Sequence, residues 1–279
     1  MSKLTKALVA FIFAATQTLV IAPSNALPNL TSKQSSSVKA LFTAFASSDP
    51  DKIASASIKY TKAGSAARNF AEMVKNNHAT IRYFKSINTF GMPSGLVVTP
   101  EAKGKSTLKG ITVTLNSVND AFDGRFSDFT FDSKGKISNF KVATSAGKSS
   151  QKVSDRIFAV KQSVTSGAMF VTGGYVYKQP DAKLFVQLQV KNNSLSLKSW
   201  SYTNGRFASA ENKYYESSIS PVGCLYPGQV AFMQATVSDT PVVVAGTGAA
   251  YEAPTFEGCG GGSSNVSSVF RFITGRISY

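Results

Sequence analysis

The chain has 279 residues, of which 43% are hydrophobic, enough for one large domain or two small ones with packed cores. Only 16% are charged, below the roughly 25% that is typical of globular domains, and serine, threonine, glycine and alanine take their place. Lysine and arginine number 30 against 15 acidic residues, for a formal net charge of +15. Such an excess indicates polyanionic surroundings, or a surface that simply needs charge for solubility, since no dense basic run occurs.

The N-terminus has the pattern of a secretory signal peptide. Lys3 and Lys6 precede an apolar stretch over 7–22, and Ser24-Asn25-Ala26 has the small residues of a cleavage site. An uncleaved anchor is the alternative, although the apolar stretch is short for a membrane span. We therefore expect residues 1–26 to be removed and the protein to be secreted, or retained at the cell surface.

The only two cysteines are Cys224 and Cys259. An oxidising extracellular location favours a disulfide bond between them, and closing this loop stabilises the fold by roughly 4 kcal/mol in the chain-entropy model. A redox pair would usually place them two residues apart, and a zinc site would need further ligands that are not nearby. We predict a structural disulfide.

Helical patterns come first after the signal peptide. Residues 27–37 are polar and indicate a flexible lead or a helix cap. The next apolar residues have helical spacing, and Asp49-Pro50 is a typical helix start. A third helical face follows over 66–74. The apolar residues of the first pattern are Val38, Leu41, Phe42 and Phe45.

After residue 108 the apolar period changes from helical spacing to two. The pattern predicts a three-stranded antiparallel meander, with a tight turn over 133–136. Residues 38–146 are therefore predicted to form an α+β domain, followed by a linker over 147–153. The expected interior residues of the meander are Ile111, Val113, Phe129, Phe131, Phe140 and Val142.

The second half, residues 154–279, contains short strands separated by turns. Leu184 to Val237 has the clearest alternation, with Asn204-Gly205 as a hairpin signal and Tyr226-Pro227-Gly228 as a further turn. Gly173-Gly174 indicates a bulge or turn within another strand. Turns about ten residues apart predict an all-β domain of the β-sandwich class.

Two resemblances sharpen these expectations. The segment FSDFTFDSKGKISNFKV, with its hairpin from Asp132 to Ile137, resembles the nuclear transport factor two-like (ketosteroid-isomerase-like) family. That resemblance implies a cone of helices and curved sheet around a pocket, although the family's catalytic carboxylates have no match here. KLFVQLQVKNNS followed by CLYPGQVAFMQATV resembles bacterial extracellular immunoglobulin-like domains, which implies a β-sandwich and carries no catalytic residues.

Between Thr247 and Ser268 the sequence is rich in glycine and predicts a long surface loop fixed by the disulfide bond. Long loops on rigid scaffolds often bind partners. If this loop does so, Tyr251 and Phe256 are its natural contact residues. The alternative is a loop without a binding role.

The sequence predicts no catalytic residue, metal site or cofactor. His78 is the only histidine, no Gly-x-Ser-x-Gly motif accompanies it, and the residues around it indicate an exposed helix position. The acidic cluster near residues 120–132 does not match a calcium loop, because an alanine and a threonine stand where carboxylates are needed.

Nucleic acid is a possible partner for a chain this basic. Lys134 and Lys136 in the hairpin could join Lys152 in the linker as phosphate contacts, with Tyr175 and Tyr177 stacking on bases. Secretion makes nucleic acid an unfavourable choice of main partner.

Three functions remain open from the sequence. The first is a secreted, non-enzymatic binding or adhesion protein that acts on anionic cell-envelope polymers or on another extracellular protein. The second is a small-ligand carrier or enzyme that uses a pocket in the cone. The third is a structural subunit of the envelope.

Overall fold

The structure is a computed structural model in which helices precede strands. The predicted signal peptide and Cys259 lie outside the residues that it describes. The described residues are 30–86, 101–107, 110–116, 122, 124–144, 150–163, 169–200, 205–219, 223–239, 241–258 and 266–275.

Three helices open the described chain: α1 (Ser32–Ala46), α2 (Pro50–Tyr60) and α3 (Ala66–Ser86). A capping box starts α1, because the Thr31 side chain accepts a bond from the Gln34 amide and the Gln34 side chain accepts one from the Thr31 amide. The described part of the predicted flexible lead, residues 30–37, therefore contains the cap and the first turns of α1. The four apolar residues predicted for this helix are all buried.

The start of α2 is also as the sequence predicts. Asp49 accepts a hydrogen bond from the backbone amide of Asp51 at 3.0 Å, and Pro50 occupies the first helical position. Because proline lacks an amide hydrogen, it leaves no donor unsatisfied at a helix start.

The first sheet contains five antiparallel strands in sequential order. The predicted meander corresponds to its three middle strands, and one further strand extends it at each edge. Val153, at the end of the predicted linker, is fully buried in the core. The strands are β1 (Glu101–Thr107), β2 (Gly110–Asn116), β3 (Gly124–Phe131), β4 (Ile137–Ala143) and β5 (Gln151–Lys152).

The second half contains ten described strands, eight of which close into an antiparallel barrel. The ring runs β6–β7–β8–β13–β11–β10–β14–β15 and returns to β6, while β9 and β12 extend from β14. The strands are β6 (Ile157–Lys161), β7 (Met169–Lys178), β8 (Leu184–Asn192), β9 (Lys198–Trp200), β10 (Gly205–Ala208), β11 (Tyr214–Ile219), β12 (Gly223–Leu225), β13 (Val230–Val237), β14 (Gly248–Glu257) and β15 (Val266–Gly275).

The predicted immunoglobulin-like β-sandwich is therefore wrong. Closure depends on β14, which pairs with β10 through Phe207 and Tyr251 and with β15 on its other side. Strands of a sandwich and of a small barrel share the same inward and outward alternation, so the sequence pattern does not distinguish them. The hairpin expected at Asn204-Gly205 is also wrong, because the described strands on either side of it, β9 and β10, both pair with β14 rather than with each other.

Side chains fill the barrel. An eight-stranded barrel encloses a space that side chains can occupy completely. Alternate residues of β8 point into it, among them Val186, Leu188 and Val190. Its largest fully buried side chains are Trp200, Tyr251, Phe207, Phe270 and Phe272.

The helices and the first sheet share their core with the outer wall of the barrel. Ile157, Tyr177 and Phe185 come from β6, β7 and β8, yet they pack in the same cluster as the helices and the first sheet. Phe70 of α3 lies at the centre of this contact, with its ring centroid 5.5 Å from that of Tyr177. The cone-plus-sandwich arrangement is therefore wrong, because the barrel wall covers what would be the open side of an isolated cone.

Polar side chains also join α3 to the barrel wall. Asn76 donates to the side-chain oxygen of Gln187 at 3.2 Å, and the Gln187 amide donates to the carbonyl of Met73 at 3.1 Å. Gln229, before β13, donates to the Tyr83 hydroxyl. Buried polar groups need such partners, so this seam fixes how the helix sits on the barrel.

His78 lies in this buried part of α3, with 8% of its surface exposed, so the predicted exposed position is wrong. Burial disfavours the charged imidazole and lowers the pKa of His78 from 6.5 to about 4.

This burial predicts a pH-dependent stability. Between pH 6.5 and pH 4 the unfolded chain binds a proton at this histidine and the native state does not, so stability falls as pH falls. We expect His78→Gln to remove a slope of up to about 1.4 kcal/mol per pH unit. Urea unfolding of the native protein and of His78→Gln from pH 8 to pH 4 measures this slope. The carboxylates are the same in both proteins, so their titration cancels in the difference between the two free energies of unfolding. Parallel curves for the two proteins would contradict the buried neutral histidine.

Candidate functional site: a basic surface at the end of the second helix

The C-terminal end of α2 gathers positive side chains. A helix ends with unpaired carbonyl groups and a partial negative charge, so cations are favourable there. Arg68 donates to the carbonyl oxygens of Ile58 at 3.2 Å and Thr61 at 3.0 Å, and its Nε donates to the Thr61 hydroxyl at 2.6 Å. Lys136 donates to the same Ile58 carbonyl from the β3–β4 hairpin at 3.0 Å.

The β3–β4 hairpin is attached firmly to this helix end. The Lys62 amide donates to the carbonyl of Ile137 at 2.8 Å, and Thr61 forms a bridge with Ile137. Asp132 closes the hairpin turn, because its carboxylate accepts from the amides of Lys134 at 2.9 Å and Lys136 at 2.8 Å. The turn predicted here is confirmed, and it holds two lysines beside α2.

Five cations therefore lie on the three segments that meet at this helix end, where Ile58 is 62% exposed. We call this set the basic surface: Lys59, Lys62, Arg68, Lys134 and Lys136. Among the described residues none of the five forms an ion pair. Some lysines elsewhere, such as those at 75, 141 and 198, pair with a carboxylate, while others in the described part of the chain, such as those at 161 and 191, do not, so the surface is distinguished by the grouping of its cations. The one nearby carboxylate of the hairpin is occupied by backbone amides.

The grouping differs in part from the one expected from sequence. Lys134 and Lys136 belong to the surface, but Lys152 lies on β5, opposite Lys141 of β4. Tyr177 is fully buried, which removes it as a stacking residue, and Tyr175 is partly buried against the shared core. Ile58, Lys59 and Lys62 carry a signal that the sequence analysis missed: an aliphatic residue outside the buried stripe of α2, with lysines beside it.

The predicted binding loop is largely a strand. Residues 248–257 form β14, and Tyr251 is fully buried in the barrel, so it is unavailable as a contact residue. Phe256 is half-buried and lies opposite Ser199 of β9. The remainder of the predicted loop, 259–265, lies outside the described residues.

The predicted disulfide bond stays a prediction. Cys224 is buried on β12, opposite Ser199 of β9, while Cys259 follows the end of β14 outside the described residues. Strand β9 lies between β12 and β14, and Gly258, which follows β14, donates to the carbonyl of Leu197 at 2.9 Å.

The expected interior residues of the meander come together in the core. Val113, Phe129, Phe140 and Val142 are buried there, Phe131 is partly buried, and the side chain of Ile111 lies outside the description. Phenylalanines of α1 and α3 fill the space between them: the Phe42 ring is 5.7 Å from Phe129 and 6.1 Å from Phe140. This region is a packed aromatic core.

No family model, curated protein or solved structure matches this chain. Within the described ranges, no three His, Cys, Asp or Glu side chains are grouped as they are around a metal ion. The same part of the chain contains no helix of the length and hydropathy that a bilayer span needs. The basic surface must be interpreted from its own chemistry.

Proposed function

We propose that the protein is a secreted, non-enzymatic binding protein that holds an anionic polymer of the cell envelope or extracellular space on the basic surface. One observation carries the proposal: the end of α2, the start of α3 and the β3–β4 hairpin meet beside the exposed Ile58 and bring together five cations that form no ion pair among the described residues. Secretion remains a prediction from the N-terminal sequence.

The chemistry of the surface favours a flexible polyanion. Lysine presents a strongly hydrated point charge, which suits repeated phosphate or carboxylate groups without fixed geometry. Exposed charges are screened by salt, so binding should weaken as salt rises. Ile58 adds a small apolar contact with the backbone of such a polymer.

Charge reversal tests the proposal. The triple variant Lys59→Glu, Lys62→Glu and Lys134→Glu spares Arg68 and Lys136, which bond to the carbonyls that end α2. We expect its affinity for isolated cell envelopes at low salt to fall about 100-fold or more, since each of the three lysines contributes about 1 kcal/mol near an anionic surface and the new carboxylates repel it. Sedimentation of purified protein with envelopes across a salt series measures this loss.

A matched triple on the barrel controls for net charge. Lys161→Glu, Lys183→Glu and Lys213→Glu change the total charge equally, at exposed positions away from α2. We expect this variant to bind nearly as well as the native protein. Equal losses in the two triples would mean that the whole protein attracts polyanions, and a native protein that binds no envelopes at low salt would refute the function.

A further inference from the structure

A second site lies on the outer wall of the barrel, away from the basic surface. Strands β10, β14 and β15 run side by side there, and Ala208, Ala250 and Arg271 occupy one row across them. Their neighbours Phe207, Tyr251 and Phe272 point into the barrel. Because side chains alternate in a strand, this row faces outward.

The row forms part of a cleft of about 370 Å³. Small side chains make its floor, while Arg271, Ile273 and Ser209 stand around it. Its volume is at the lower end of the range for small-molecule sites, which sets the size of the group it accepts. The alanines offer only methyl groups, so the floor suits an aliphatic stem.

Arg271 lines this cleft with a guanidinium group whose charge is not paired with a carboxylate among the described residues. It is exposed, and it makes no hydrogen bond or ion pair with the residues that the structure describes. Other arginines are engaged: Arg68 and Arg156 bind backbone carbonyls, Arg82 binds Asp51, and Arg206 pairs with Glu216. A guanidinium group can donate two parallel hydrogen bonds to one carboxylate.

Ser209 supplies an independent observation. It is 5% exposed and lines the cleft, and its hydroxyl has no hydrogen-bond partner among the described residues. Its backbone is already satisfied, because its amide donates to Lys213 at 3.0 Å and its carbonyl accepts from Asn212 at 2.9 Å. A buried hydroxyl without a partner is costly. An oxygen of a ligand bound in the cleft that Ser209 lines would give this hydroxyl a partner.

We propose that this cleft binds a carboxylate carried on a short aliphatic stem. The Arg271 guanidinium receives the carboxylate, the Ser209 hydroxyl donates to one of its oxygens, and the alanine floor contacts the stem. The same chemistry belongs to a free short-chain carboxylic acid and to the C-terminal residue of a peptide that ends in alanine. The site is independent of polyanion binding at the basic surface.

Titrations followed by backbone amide NMR test this site. The probes are butyrate, N-acetyl-Ala-Ala with a free carboxylate, and the same dipeptide as its C-terminal amide. We expect saturable shifts at Ala250 and Arg271 with at least one of the two acids, and at least tenfold weaker binding of the amide. Tighter binding of the dipeptide acid identifies a peptide end as the source, and tighter binding of butyrate identifies a free acid.

Variants assign the contacts. Arg271→Gln should weaken binding at least tenfold, and Ser209→Ala two- to fivefold, while Arg206→Gln, a neighbouring arginine on the same wall, should leave it within twofold. The Lys59/Lys62/Lys134 reversal should also leave it unchanged, which separates this site from the proposed function. Equal binding of acid and amide, no saturable binding of either acid, or full binding by Arg271→Gln would overturn the proposal.

Discussion

Replacing Phe70 with alanine should lower the free energy of unfolding by about 3–5 kcal/mol. Its ring is fully buried on α3 and contacts aromatic rings from every layer of the shared core. The loss combines the transfer free energy of the ring with the cavity it leaves behind. The ring centroids lie 6.1 Å from Phe45, 5.8 Å from Phe122, 5.7 Å from Phe126, 5.4 Å from Phe140 and 5.5 Å from Tyr177.

Two spectroscopic probes can show whether this core couples the halves of the protein. The described helices all precede the barrel, so far-UV circular dichroism reports mainly on α1–α3, while Trp200 is the only tryptophan and lies in the barrel core. We expect both probes to show one urea transition and to shift together in Phe70→Ala. Phe170→Ala, at a half-buried position of β7, should cost only about 1 kcal/mol. A tryptophan transition that stays unchanged in Phe70→Ala would show that the barrel unfolds independently.

Replacing Gly174 with alanine should destabilise the protein by about 3–5 kcal/mol. Gly174 has φ = 135°, which L-amino acids with a side chain rarely adopt. A Cβ atom there would overlap the carbonyl oxygen of Gln187 and lie 3.0 Å from the Cα of Leu188. Both obstacles are backbone atoms of β8, so relief requires the β7–β8 pairing to move.

The adjacent glycine provides a matched control. A Cβ at Gly173 would meet only the Gln189 side-chain oxygen, at an ordinary 3.8 Å, and Gly173→Ala should change stability by less than about 1 kcal/mol. Thermal unfolding of both variants measures the difference. Equal costs at the two positions would contradict the close approach of β7 to β8 at Gly174.

The N-terminal helices show what local sequence can predict. The first helix follows from four apolar residues at helical spacing, and the second from the Asp49-Pro50 start, because caps and apolar stripes act within a few residues of each other. The Asp132 turn is local in the same sense, and so is the irregularity at Gly173, where β7 shifts register against β8.

The basic surface was only partly predictable. Lys134 and Lys136 are linked by sequence to one hairpin, but their proximity to Lys59 and Lys62 depends on the bridge between Thr61 and Ile137. The carboxylate cleft likewise depends on register, which places Ala208, Ala250 and Arg271 in one row. Contacts between residues so far apart in sequence leave no periodic signal along the chain.

The sequence by itself determined the order of helices before strands, the caps and turns, the basic composition and the alternation of apolar residues in the strands. Only the tertiary structure decided that the second half closes into a barrel, that His78 and Tyr251 are buried, and that the helices share their core with the barrel wall. The physical reason is that the alternation of apolar and polar residues indicates that a strand has one buried face, but it does not indicate which element covers that face. The β10–β14 pairing and the packing of Phe70 against Tyr177 supply that information.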